Sequence, residues 1–163
     1  MTTTTPTATD NFTSPIEERY FEDYVPGTVH VFGSITLTEP EILEFARQFD
    51  TQSFHMDPEA AQAGPFQGLI ASGWHTTAVM MRLYADHYLS KVASLASPGV
   101  DEVRWKRPVR PDDTLSVRAT VTEARVSRSK PDRGLVHTDV EVLNQHGETV
   151  LTMTIMNMLQ RRP

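Results

Sequence analysis

The chain has 163 residues, a length for one domain able to bury its own core, and its 22% charged and 39% hydrophobic residues fit an ordinary globular protein. A formal net charge of -6 argues against a general nucleic-acid binder, and the lack of cysteine removes disulfides, thiolate nucleophiles and cysteine-held metals. No apolar run reaches the ~18 residues a membrane helix needs, so a cytoplasmic protein without a membrane partner is the expectation. Met1 to Ser14 is Thr-rich, without the basic segment and apolar core of a secretory signal. It reads as a disordered tail (1–14) ahead of one domain over 15–163.

Tyr20, Phe21 and Tyr24 stand among acids before a Pro26-Gly27 turn, and Val31, Gly33, Ile35 and Leu37 then alternate as a half-buried strand does. Thr38-Glu39-Pro40-Glu41 is a helix start, with Thr38 and Glu41 at capping-box spacing and proline in the first turn. Ile42, Phe45, Ala46 and Phe49 give that helix one apolar face, and it runs out at Asp50. Asp57-Pro58 caps a brief Ala-rich helix that Gly64-Pro65 ends. From Ile70 to Ala96 the stripe Ile70, Trp74, Ala78, Met81, Ala85, Tyr88, Val92 predicts the longest helix, with Trp74, Met80 and Met81 as core. A helix of about 25 residues is roughly 40 Å long, so the sheet covering it has to curl.

The remainder is strand and turn. Val100–Trp105 is followed by alternating runs over 115–122 and 136–142, an Asn144-to-Gly147 hairpin turn, and a last strand from Val150 to Leu159. The order is α+β, an antiparallel sheet packed around one helix. The last strand is apolar on both faces, which predicts a homodimer. Basic residues crowd the stretch from Arg104 to Arg133, either as solvated strand faces or as a patch that holds phosphate.

Asp50 and His55 lie five residues apart at a helix exit, and a carboxylate and an imidazole can share a water and move protons at a neighbouring carbon. Ser72-Gly73 opens the long helix, where unpaired N–H groups can polarise a carbonyl oxygen. Each feature also has a structural reading: a solvated acid at a helix end, a loop histidine, a serine that caps. His75 and His87 have no matching carboxylates, so no metal is expected, and Ser53 and Ser72 lack the glycines of a nucleophile elbow.

Read together, Asp50-Thr51-Gln52-Ser53-Phe54-His55-Met56-Asp57-Pro58 and Ala71-Ser72-Gly73 resemble the motifs of the MaoC-like dehydratase family, which includes the (R)-specific enoyl-CoA hydratases. Arg107-Pro108-Val109-Arg110-Pro111-Asp112-Asp113-Thr114-Leu115 is similar to a second signature of that family, and the likeness spans residues 15 to 161. Gln52, Ser53 and Ser72 stand where the family motif has asparagine, proline and histidine.

The resemblance implies a hot-dog fold, a curled antiparallel sheet wrapped around a long helix, and a dimer. It implies reversible syn hydration of an enoyl thioester carried by CoA or acyl-carrier protein, with no other cofactor. Asp50 is then the base on water, His55 holds the water and protonates the α-carbon, and the Gly73 N–H holds the carbonyl. Ser72, Gln52 and Ser53 are further substrate-binding candidates. A hot-dog thioesterase, working through a helix carboxylate such as Asp86, and a non-catalytic acyl-binding subunit are the competing expectations.

Overall fold

Thr38 starts the first helix as its spacing predicts. The Glu41 carboxylate accepts from the Thr38 backbone N–H (2.8 Å) and from its hydroxyl (2.6 Å), and α1 follows over Glu39–Phe49. The computed structural model describes residues 7–163. In chain order the elements are β1 (Val29–Thr36), α1, α2 (Ser53–Met56), α3 (Pro58–Ala63), α4 (Gly73–His87), β2 (Gly99–Trp105), β3 (Thr114–Val126), β4 (Arg133–Leu143) and β5 (Thr149–Gln160). Five antiparallel strands form one sheet in the order β1-β3-β4-β5-β2. This is the hot-dog arrangement, with α4 against the curled sheet. No helix among the described residues is long and apolar enough to cross a membrane.

The core joins Leu115, Val117, Ala119 and Val121 of β3 and Val136, Val140 and Val142 of β4 to Met80, Leu83 and Tyr84 of α4. One glycine lets the helix come close: Gly33 sits at a bulge of β1 with φ +79, and a methyl there would lie 2.5 Å from the Leu83 side chain. Two tyrosine hydroxyls tie helix to sheet inside this core. Tyr84 donates to Asn157 Oδ1 (2.9 Å), and Tyr88 bonds to Thr138 (2.8 Å).

Two expectations for the long helix need correction. It ends at His87, not near Ala96, because its last carbonyls are captured from far away in sequence. Arg19 donates to the carbonyls of His87 and Tyr88, and the Tyr24 hydroxyl donates to that of Tyr88. Ser90 Oγ then accepts from the N–H groups of Val92 and Ala93, and the chain turns back along β5. The buried face also differs. Thr76, Met80, Leu83 and Tyr84 are inside, while Trp74 (58% exposed) and Met81 (44%) of the expected core stripe are not.

The N-terminus differs too. Residues 1–6 of the tail expected from composition lie outside the described residues. Thr9 bridges to Val31, and Phe12 stacks on His30 with the Arg19 guanidinium 3.7 Å from the centre of its ring, so the rest of that segment packs onto β1.

Candidate active site

Asp50 is the residue that closes α1; its N–H donates to the Ala46 carbonyl, and its non-helical backbone turns the chain toward α2. His55 lies inside α2 and is 5% exposed. Its Nδ1–H donates to the Ile70 carbonyl at 2.8 Å, which orients the ring and leaves Nε2 to exchange protons. That Nε2 lies 3.3 Å from Asp50 Oδ2. The segment before α4 is pinned from both sides: Ile70 N–H donates to the Phe54 carbonyl and Ala71 N–H to that of Val109. The acid, the imidazole and the start of α4 are thereby held in one place.

Ser72 caps α4 and also reaches the carboxylate. Its Oγ accepts from the Trp74 N–H, capping α4, and its hydroxyl donates to Asp50 Oδ2 at 2.6 Å. Gln52 Nε2 donates to the other carboxylate oxygen at 2.8 Å. Burial pushes the Asp50 pKa up, but the hydrogen bonds from Ser72 and Gln52 and the charge of His55 outweigh it, and the net shift is downward. Asp50 is held as an anion. Gln52 therefore acts on the carboxylate, while Ser53 is exposed and its hydroxyl bonds to no group among the described residues.

Gly73 is the first residue of α4, and its N–H has no intrahelical acceptor. It lines a cavity of about 270 Å³ together with His55, Ile70, Thr76 and Trp105, with Lys106 and Arg107 also on the wall. Trp105 carries no recognisable sequence signal yet shapes the site. Its indole covers Gly73 so closely that a methyl there would lie 2.5 Å from the ring, and Nε1 donates to Thr77 Oγ1 at 3.3 Å. Of the basic stretch, most of the later side chains pair with acids, as in Arg118–Glu141 and Arg133–Asp132. Lys106 and Arg107 are the two that reach this cavity, and Arg107 also stands 3.7 Å from the Glu148 carboxylate.

The arrangement offers an ionised acid, an imidazole in contact with it, and a free helix N–H beside one cavity, which suits proton transfer next to a carbonyl. If Asp50 is the working base, Ser72→Ala is expected to move the acid limb of kcat/KM upward. A lowered pKa keeps the carboxylate charged to lower pH, so activity falls only as pH drops through that value. Removing one of the bonds that lower it brings the fall to higher pH. A pH–rate profile checks this, because a merely weakened helix cap leaves the limb where it was.

Residues 23–145 match the family described as MaoC like domain. Among characterised proteins, the chain is 34% identical over 110 residues to 3-hydroxyacyl-thioester dehydratase Z of Mycobacterium tuberculosis, covering 66% of this chain and 73% of that one. Among solved structures it is similar to a MaoC-like dehydratase from Rhodospirillum rubrum, with 38% identity, a TM-score of 0.82, and coverage of 89% of this chain and 99% of the other. An (R)-hydratase from Pseudomonas aeruginosa shares the fold at a TM-score of 0.71 and 22% identity, over 88% of this chain and 86% of that one.

Proposed function

The chain belongs to the MaoC-like domain family, and on that footing we propose that it catalyses reversible hydration of a trans-2-enoyl thioester to the (R)-3-hydroxyacyl thioester. The observation that carries this reading is the 3.3 Å approach of Asp50 and His55 beside a cavity lined by both His55 and Gly73.

The thioester carbonyl sits at the Gly73 N–H, where the positive end of α4 supports the enolate charge. A water held between Asp50 and His55 Nε2 adds to C3, and its proton passes to the Asp50 carboxylate as the C–O bond forms. The π electrons move to the enolate. His55, protonated on Nε2, then gives a proton to C2 from the same side, which makes the addition syn. Asp50 returns its proton to Nε2 across their direct contact, and the pair is reset. Dehydration runs the same steps backward.

The reaction needs no cofactor beyond the CoA or acyl-carrier-protein arm of the substrate, and Lys106 and Arg107 offer positive charge for the phosphates of such an arm. The same reading has the chain pair with a second copy. The exposed apolar side chains Trp74, Met81, Val100 and Trp105 gather around β2, an edge strand of the sheet, which supports such a contact.

With crotonyl-CoA, the expected result is loss of enoyl absorbance without release of free thiol. Thiol release would point to a thioesterase instead, although Asp86, the carboxylate such an enzyme would need, is exposed and paired with Arg82 late in α4.

A further inference from the structure

A second cavity, larger and more apolar, lies beyond Trp74. Its volume is about 560 Å³, and it runs along α4 from Trp74 to Tyr84, and on to Leu89 past the helix end, against Met153 and Ile155 of β5 and Val103 of β2. The two cavities meet at the first turn of α4. Gly73 and Thr76 face one, Trp74 and Thr77 the other, and the Trp105 indole on the wall of the first touches Trp74 and Thr77 of the second. The ring packs on Gly73 and edge-on against Trp74, with one long hydrogen bond to Thr77, so a tail passes from one cavity to the other only where this ring turns aside.

At the far end of this apolar chamber stands the one polar side chain that β5 contributes to its wall. On the helix-facing side of β5, Leu151, Met153, Ile155 and Leu159 are buried and apolar; Asn157 breaks the run at 6% exposure. Its Oδ1 is taken by the Tyr84 hydroxyl, which fixes the amide, and its Nδ2 donates to no group among the described residues. A leucine there would complete the apolar face but leave the buried Tyr84 hydroxyl without its acceptor, and the amide nitrogen opens on the chamber and is not sealed in the core. Asn157 lines the chamber, so the free donor is offered to whatever occupies it.

With the acyl tail of the thioester lying in this chamber, we infer that Asn157 selects tails bearing a hydrogen-bond acceptor, such as a ketone, near the far end. This rests on the thioester reading above. Gly73 and Tyr84 are eleven residues apart in α4, roughly 16 Å along its axis, so a tail on the order of ten carbons reaches the amide. Shorter tails end in the apolar part and gain nothing from it.

The test compares a straight trans-2-enoyl-CoA of that length with the same chain carrying a ketone near its end, in the wild type and in Asn157→Leu. The wild type is expected to favour the keto chain by about tenfold in kcat/KM, the worth of one neutral hydrogen bond, and Asn157→Leu to favour the plain chain. Equal ratios in the two proteins would overturn the inference. Tyr84→Phe keeps the shape but frees the amide to turn, and is expected to weaken the preference if Asn157→Leu fails to fold. A binding arm separates this from the proposed reaction: the fluorescence of Trp74 and Trp105 together is titrated with a medium-chain methyl ketone and with the alkene of equal length. Tighter binding of the ketone, lost in the variants, supports the chamber's role even where no enoyl-CoA is hydrated. Equal binding of the two probes counts against it.

Discussion

Asp50→Asn is expected to lower turnover of an enoyl thioester by at least about a hundredfold while leaving the fold intact, since a positioned acid–base group typically supplies 10² to 10⁴ in rate. The carboxylate receives three groups at once: the Ser72 hydroxyl and His55 on Oδ2, and Gln52 on Oδ1. An amide in its place offers one acceptor and turns a donor toward one of those donors. It also has no charge to take the water's proton. Because Asp50 only closes α1 and is partly open to solvent, a thermal melt should stay within a few degrees of the wild type. His55→Ala is expected to cost as much in rate, but it also leaves the buried Ile70 carbonyl without its donor, so His55→Gln is the cleaner partner. The double variant should be scarcely worse than either single one, because the two groups exchange one proton and act as a unit. Near-normal steady-state rates in either single variant would remove that residue from the mechanism.

How much of this could be read from the chain depends on how local each determinant is. Thr38 with Glu41, and Asp57 with the N–H groups of Glu59 and Ala60, are contacts within three residues, and both helix starts fall where the spacing puts them. The alternation of β3, β4 and β5 needs only the next residue but one, and the Asn144–Gly147 hairpin closes on its own backbone. The end of α4 is another matter. Its apolar spacing continues through Tyr88 and Val92, and what stops the helix is Arg19 and Tyr24, more than sixty residues earlier. The face of α4 was misleading for a related reason: the helix is apolar on two sides, and Thr76 rather than Trp74 turns inward. In the site, the five-residue spacing of Asp50 and His55 was visible. The bond from Ser72 to Asp50 spans 22 residues and was not, nor was the Trp105 ring over Gly73.

The helix N–H at Gly73 can be tested although it belongs to the backbone. Gly73→Pro, made in a Trp105→Ala background, is expected to lower kcat on the order of 10² to 10³, the usual cost of losing one oxyanion donor. Proline has no N–H, so the substitution deletes that donor. The backbone tolerates it: Gly73 is the first residue of α4, the helical position that proline prefers, and Ser72 before it is extended at φ -56 and ψ 139, as a residue preceding proline must be. Removing the Trp105 ring first is necessary, because any side chain at position 73 would collide with it. The control is Gly73→Ala in the same background, which adds a carbon but keeps the donor and is expected to stay within about tenfold of Trp105→Ala alone. Should alanine and proline lose activity equally, the defect is crowding by the added carbon, and the carbonyl is held elsewhere. A large gap between them, at unchanged melting temperature, assigns the polarising hydrogen bond to the first turn of α4.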